Sequence, residues 1–122
     1  MDTYSIHQIE PLVAIFGSEV QRLQFVGTAE HPSLVIEWSE HRRAVIHHHG
    51  WEIPFTMYLD YKDQKSEKIE IKSDYFLSFI DEMVDFFLRG TEKVPHQETV
   101  AVMSVCEQAM RSLDFPGKWI TI

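Results

Sequence analysis

Histidine is the residue type in this sequence whose spacing first suggests chemistry. Three histidines are consecutive, His47-His48-His49, and on a β-strand the first and third would share one face. Imidazole binds zinc, copper or nickel, but a zinc site needs three or four ligands. His41 or Glu37 could complete such a set with His47 and His49. The missing ligand pattern favours a polar sheet face, exposed to water or to a partner subunit, over a metal site. The alternative is a stand-alone module in which His47 and His49 hold a metal or a small ligand.

A second candidate is the pair His7 and Glu10, which are three residues apart. On a helical turn this spacing points both side chains in the same direction. A carboxylate beside an imidazole orients the ring for acid–base chemistry, so the pair is a candidate catalytic site. On spacing alone, a solvated histidine is the alternative. The single cysteine, Cys106, lies within an apolar stripe and is predicted to be a buried packing residue.

The composition excludes several classes of function. The 122 residues include 11 Lys and Arg against 19 Asp and Glu, a net charge of -8, which disfavours nucleic acid and anionic membrane surfaces as partners. The five glycines form neither a G-x-G-x-x-G sequence nor a P-loop, so no cofactor site is predicted in this chain. One cysteine excludes an intrachain disulfide. The single cysteine favours a reducing, cytoplasmic location. The first residues carry no positive n-region and no long apolar run, so neither a secretion signal nor a membrane span is expected.

The first element is predicted to be a short helix. Residues 11–16 begin with proline and are followed by Gly17, which is the usual placement of these residues at helix ends. A start near Ser5 would place Pro11 beyond the first turn, where its ring clashes with a preceding carbonyl. We therefore expect a kink or a break near Glu10.

A run of strands is predicted next, because the apolar residues between Glu19 and Ile71 recur with a period of two. The polar stretch from Ser39 to Arg43 is expected to be the turn of an antiparallel hairpin. Short turns between five successive strands indicate one antiparallel meander. The predicted inward side chains are Leu23, Phe25, Leu34, Ile36, Trp38, Ala44, Ile46, Ile53, Phe55, Met57, Leu59, Tyr61, Ile69 and Ile71.

Two amphipathic helices follow the strands. The first is predicted to begin at Ser73 or Asp74, both good N-caps, and to end at Gly90. Its apolar residues recur every three or four positions and are interpreted as core. The second is predicted over 96–113, and residues 119–122 form a plausible last strand.

These elements predict an α+β fold in a single domain over 1–122. We expect a predominantly antiparallel sheet of five or six strands, with the two long helices packed on one face. The other face would be free for another subunit, which predicts a homo-oligomer. One alternative is a pure dimerisation domain whose open face includes Thr56 and Tyr58.

Several strings occur in a characteristic order along nearly the whole chain. Residues 75–90 form a helix ending in glycine, and residues 98–112 and 117–122 form a closing helix and strand. His7-Gln8-Ile9-Glu10, followed by an apolar helix, is an H-x-x-D/E segment. Together these strings resemble the C-terminal domain of the Gfo/Idh/MocA family of NAD(P)-dependent oxidoreductases.

The resemblance implies a fold like the C-terminal domain of glyceraldehyde-3-phosphate dehydrogenase. It implies that His7 faces the substrate, a sugar or polyol, with Glu10 as its acidic neighbour. In this family NAD(P) is bound by an N-terminal Rossmann domain, and a lysine of an E-K-P motif contributes to catalysis. Neither is present in this chain, which is expected to be unable to transfer hydride alone and to associate through its open sheet face.

Overall fold

A computed structural model describes residues 5–28, 30–47, 56–70 and 74–122. The chain divides into two compact units, one formed by residues 1–50 and 94–122 and the other by residues 51–93. The elements are α1 (Ile6–Phe16), β1 (Val20–Gly27), β2 (Pro32–Trp38), β3 (Arg43–His47), β4 (Thr56–Asp60), β5 (Ser66–Glu70), α2 (Tyr75–Arg89), α3 (His96–Ser112) and β6 (Trp119–Thr121). The predicted α+β class is confirmed, whereas the single domain over 1–122 stays a prediction.

The strands form two antiparallel sheets, so the prediction of one meander is wrong. Strands of the first unit are ordered β3-β2-β1-β6, and within the described residues β4 is paired with β5 alone. The last strand returns to pair with β1, placing Leu23 opposite Ile120. The predicted strand residues Ile53, Phe55 and Ile71 lie outside the described residues. The predicted hairpin between β2 and β3 is confirmed, with Glu37 opposite Arg43.

The core of the first unit lies between the four-stranded sheet and two helices. Helix α3 packs against β1 and against α1, and Ile9 of α1 and Val105 of α3 are almost completely buried. The sheet contributes the predicted inward residues Leu23, Phe25, Leu34, Ile36, Trp38, Ala44 and Ile46, all of which are buried. Burial of each large side chain stabilises the fold by about 1.5–3 kcal/mol.

Helix α1 runs without a break from Ile6 to Phe16, with Pro11 inside it. Of the predicted kink or break near Glu10, the break is therefore wrong. Proline removes one helical hydrogen bond, but burial of Ile9, Leu12 and Val13 holds both halves of the helix on the core. The helix ends at Gly17, whose N–H donates to the carbonyl of Val13 at 2.7 Å.

The second unit contains the β4–β5 hairpin and helix α2. The carboxylate of Asp74 accepts a hydrogen bond from the Leu77 N–H at 3.3 Å, and Gly90 ends the helix at a φ of 67°. Both predicted caps are therefore present. No side chain of α2 is buried, and Phe76 is 81% exposed. The expectation that the apolar stripe of α2 is core is wrong for this chain, because a two-stranded hairpin has little apolar surface to cover a helix.

The prediction that both long helices share one sheet face is thus only partly met. Helix α3 lies on the four-stranded sheet, and its helical partner there is the short α1. Helix α2 belongs to the second unit. Within the described residues, none of the helices combines the length and the apolarity that a bilayer span requires.

Candidate functional site

Helix α1 carries the predicted catalytic pair in its first turns. The Nδ1 atom of His7 lies 3.5 Å from the Oε2 atom of Glu10, and the two side chains are 56% and 54% exposed. Ile9, between them in sequence, is buried in the core, so α1 is anchored while the pair is accessible. An imidazole beside an accessible carboxylate can hold and exchange a proton. The structure brings the pair together, and its catalytic role stays a prediction.

Cys106 of α3 is half-buried. Burial raises the pKa of its thiol, and the negative charge of Glu10 raises that pKa further. Because the thiolate is the nucleophilic form of cysteine, a thiol that stays protonated reacts slowly. These properties agree with the interpretation of Cys106 as a packing residue.

The face of the four-stranded sheet opposite α1 and α3 is called here the open sheet face. Its side chains form three cross-strand rows: Thr121, Arg22, Glu37 and Arg43; Trp119, Gln24, Val35 and Val45; and Val26, Ser33 and His47. Val26 is 43% exposed and Val45 is 49% exposed. Exposed aliphatic side chains beside paired charges are typical of the surfaces through which proteins associate.

The first row of the open sheet face is a charged network. Glu37 on β2 lies directly between Arg22 on β1 and Arg43 on β3. The Nε of Arg22 donates to Oε2 of Glu37 at 2.6 Å, and the Nε of Arg43 donates to Oε1 at 2.9 Å. A second nitrogen of Arg43 also donates to Oε1. The guanidinium of Arg22 lies 4.4 Å from the centroid of the Trp119 ring, at cation–π distance.

This network keeps Glu37 ionised. Hydrogen bonds from Arg22, and then from Arg43, hold the pKa of Glu37 below its ordinary value, against the opposing effect of desolvation. Its side chain is only 14% exposed. Two guanidinium groups meet one carboxylate, so the row carries one positive charge in excess.

The histidine cluster is described only in part, because His49 lies outside the described residues. The Nδ1 of His47 shares a hydrogen bond with the Ser33 hydroxyl at 2.9 Å. His41 lies in the turn before β3 and His47 at the end of β3, too far apart along the strand to share a ligand. Both carboxylate oxygens of Glu37 accept bonds from arginine, which removes the other proposed ligand.

Among the residues that the structure describes, no group of three or more His, Cys, Asp or Glu side chains could hold a metal ion. The hypothesis of a site at His47 and His49 therefore stays a prediction. The placement of Thr56 and Tyr58 on the open sheet face is wrong, because both residues belong to β4 in the two-stranded sheet; the alternative of a pure dimerisation domain stays a prediction.

The charged row was missed when the sequence was read alone. A period of two places Arg22 outward on β1 and Glu37 outward on β2, and the predicted hairpin turn brings Arg43 close to Glu37. These signals were sufficient to propose the pair of Glu37 and Arg43. The contact of Arg22 with Trp119 depends on the pairing of β6 with β1, which no local pattern specifies.

Comparisons of this chain with protein-family models, with curated proteins and with solved structures gave no match. The function therefore has to be inferred from the chain's own residues, of which the pair His7–Glu10 and the open sheet face are the leading candidates.

Proposed function

We propose that this chain is the C-terminal, substrate-side and oligomerisation domain of an NAD(P)-dependent oxidoreductase of the Gfo/Idh/MocA type. In this proposal the fold is of the kind found in the C-terminal domain of glyceraldehyde-3-phosphate dehydrogenase, and the substrate is a sugar or polyol. The protein works in the cytoplasm and forms a homo-oligomer. One observation carries the proposal: an antiparallel sheet is covered by helices on one face and exposed on the other.

The open sheet face supports the role in association. Its central row contains Val35 and the exposed Val45, and the neighbouring row adds the exposed Val26. Burying such side chains against a second copy removes apolar surface from water, at about 25 cal/mol per Å². A two-fold arrangement lets the same patch serve on both copies.

The pair on α1 supports the substrate-side role. His7 lies beside Glu10 on an accessible helical turn, where an imidazole can accept the proton of a substrate hydroxyl that is oxidised, or return a proton to the carbonyl oxygen in the reverse reaction. The neighbouring carboxylate, 3.5 Å from the ring nitrogen, orients the ring during that transfer. These are the only steps assigned to this chain.

The nicotinamide cofactor does not fit the residues present. A dinucleotide pyrophosphate needs closely spaced glycines at the start of a helix, and the glycines of this chain are at least ten residues apart, at Gly17, Gly27, Gly50, Gly90 and Gly117. In the proposal the cofactor is bound by a Rossmann domain in another part of the full-length protein. No step of hydride transfer is assigned to residues of this chain.

Sedimentation analysis tests the association. The wild-type chain is expected to sediment as an oligomer, and Val45→Asp is expected to sediment as a monomer because a buried, unpaired carboxylate opposes the interface. Val100→Asp is the matched control, since Val100 is 50% exposed but lies on α3. A monomeric wild type, or equal behaviour of the two variants, would show that the open sheet face does not mediate association.

A cofactor assay tests whether this chain lacks oxidoreductase activity when it is alone. The chain alone, mixed with NAD or NADP and a polyol, is expected to form no reduced nicotinamide. Formation of reduced nicotinamide by this chain alone would contradict the proposal. Binding of a polyol by the chain, detected as changes in the NMR signals of the His7 ring, would support the substrate-side role, and unchanged His7 signals would count against it.

A further inference from the structure

A cleft of about 440 Å³ lies at the end of the four-stranded sheet, beside the β2–β3 turn. Its charged lining consists of Arg22, Glu37, Glu40, His41, Arg42 and Arg43. This volume is within the range of small-molecule sites, roughly 300–1,000 Å³. We propose that the cleft binds a small organic carboxylate. This inference does not depend on the proposed oxidoreductase role.

The charge of the cleft differs in sign from that of the whole chain. The chain carries a net charge of -8, yet the cleft contains three arginines against Glu37 and Glu40. The lining therefore has one positive charge in excess, before any contribution from His41. A monoanionic carboxylate neutralises that excess, and guanidinium is the side-chain group best matched to carboxylate geometry.

The arginines have donors that can reach a ligand. Arg22 gives only its Nε to Glu37, and its terminal nitrogens donate to no other group that the structure describes. Arg43 is 59% exposed and has a terminal nitrogen beyond the two that contact Glu37. Glu37 thus orients both guanidinium groups without using all their donors. Arg22 is also fixed from one side by the Trp119 ring.

Arg42 has a different role, because its donors are occupied within the protein. Its Nη1 donates to the Phe16 carbonyl at 2.7 Å, and its Nε and Nη2 donate to Ser39 at 3.2 and 3.1 Å. These bonds tie the end of α1 to the β2–β3 turn. Arg42 is therefore a positioning residue for the cleft rather than a ligand contact.

The turn at the rim is built from residues that are unfavourable for it. The Arg42 N–H donates to the Ser39 carbonyl at 3.4 Å, and the central residues Glu40 and His41 have φ of 59° and 61°. Positive φ at both centres is the property of a type I′ turn, which favours Asn-Gly. Two longer side chains in such positions cost free energy, and such strain is concentrated at functional sites.

The cleft lining contains a second irregularity. The pairing of β1 with β2 shifts between Val20 and Arg22, which leaves Gln21 as a β-bulge in the cleft lining. Bulges re-aim the side chains that follow them and are frequent beside binding sites. The bulge directly precedes Arg22 and the strained turn lies just before Arg43, so both irregularities are beside the arginines of the cleft.

NMR titration of the wild-type chain with lactate tests the proposal. Propane-1,2-diol is the uncharged ligand of similar shape, and sodium chloride at equal ionic strength controls for screening. We expect saturable amide shifts at Gln21, Arg22 and Arg43 with lactate alone. Arg22→Gln and Arg43→Gln are each expected to weaken binding about tenfold, the loss of one charged hydrogen bond. Arg111→Gln, an exposed arginine on α3 bonded to Gln108, is expected to bind like the wild type.

Four results would overturn the proposal: no saturation with lactate, equal shifts with the diol, shifts located away from the cleft, or equal loss in Arg111→Gln. Tighter binding of inorganic phosphate than of lactate would overturn the assignment to a carboxylate. If a glutamine variant does not fold, Arg43→Lys is used in its place. Lysine keeps the positive charge but cannot donate the two parallel hydrogen bonds of a guanidinium group. Weaker lactate binding by that folded variant supports the proposal, and unchanged binding contradicts it.

Discussion

Glu37 is the residue that organises the open sheet face, because it joins three strands through side-chain bonds. It accepts hydrogen bonds from Arg22 on one neighbouring strand and Arg43 on the other. Cross-strand pairs of opposite charge stabilise sheets. The network also aligns two guanidinium groups that would otherwise repel one another. Loss of this one carboxylate therefore changes both strand pairing and local charge.

The variant Glu37→Gln is expected to be less stable than the wild type at neutral pH. The folded pKa of Glu37 lies below its unfolded value, so its stabilisation is present above the unfolded pKa of about 4.3 and is lost as pH falls through the folded value. Thermal melts at pH 7 and at stepwise lower pH check this. The difference between variant and wild type should shrink on acidification. A difference that is constant with pH would contradict the assignment.

Glu107→Gln is the control for that experiment. Glu107 is an exposed carboxylate on α3, outside the charged row. Its substitution is expected to leave the melting temperature close to that of the wild type, since exposed side chains away from networks contribute little. An equal loss in both variants would indicate a general charge effect rather than the bridge through Glu37.

The reactivity of the Cys106 thiol depends on the nearby charge of Glu10. Because the carboxylate charge raises the pKa of Cys106, Glu10→Gln is expected to increase the thiolate fraction and the rate of alkylation. Iodoacetamide kinetics at pH 8 measure that rate. Glu19→Gln, an exposed residue just before β1, is expected to alkylate at the wild-type rate. An unchanged rate in Glu10→Gln would place its charge away from the thiol.

At the scale of elements, the β2–β3 turn is destabilised by its own central residues, Glu40 and His41, which have positive φ. His41→Gly is expected to raise the free energy of unfolding by about 1 kcal/mol. Glycine removes the cost of about 1–2 kcal/mol that a residue with a Cβ has in the left-handed conformation. Part of this gain is lost because glycine makes the unfolded chain more flexible and so raises the entropy cost of folding. Urea denaturation measures the change. His41→Ala keeps a Cβ at a φ of 61° and is expected to show no such gain, so equal stability of the two variants would argue against strain.

The elements that were predicted correctly are those set by local patterns. Asp74 and Gly90 define the ends of α2 through bonds within a few residues, and alternation along β2 identifies its buried face. The proximity of His7 and Glu10 is likewise local, since one helical turn joins them. Such features are readable because the residues that determine them are neighbours in sequence.

The features that were missed depend on contacts between distant residues. Pairing of β6 with β1 brings Trp119 next to Gln24. The division into two sheets likewise depends on which strands pair, since β4 pairs with β5 whereas β3 pairs with β2. Pro11 predicts an interrupted helix, yet α1 is continuous because Leu12 and Val13 are buried in the core. Long-range register and tertiary packing outweigh local propensity in these cases. Within the charged row, the contact of Arg22 with Trp119 was missed for the same reason, whereas the pair of Glu37 and Arg43 was available from the predicted hairpin.

At the scale of the molecule, charge opposes the proposed association. The net charge of -8 means that two copies repel at long range, whereas the open sheet face offers aliphatic rows at its centre. Short-range apolar contact and long-range repulsion respond differently to salt. Salt screens the repulsion, and it leaves the burial of Val35 and Val45 nearly unaffected.

The dissociation constant of the oligomer is therefore expected to fall as salt is raised. At 0.1 M salt the screening length is about 10 Å, and at 1 M it is about 3 Å, so repulsion between copies weakens across this range. Sedimentation equilibrium at both concentrations gives the two constants. Val45→Asp is expected to stay monomeric at 0.1 M and to associate more weakly than the wild type at 1 M. A constant that rises with salt would mean that ion pairs between copies, rather than aliphatic rows, hold the interface together, with Arg22 and Arg43 as the first residues to substitute.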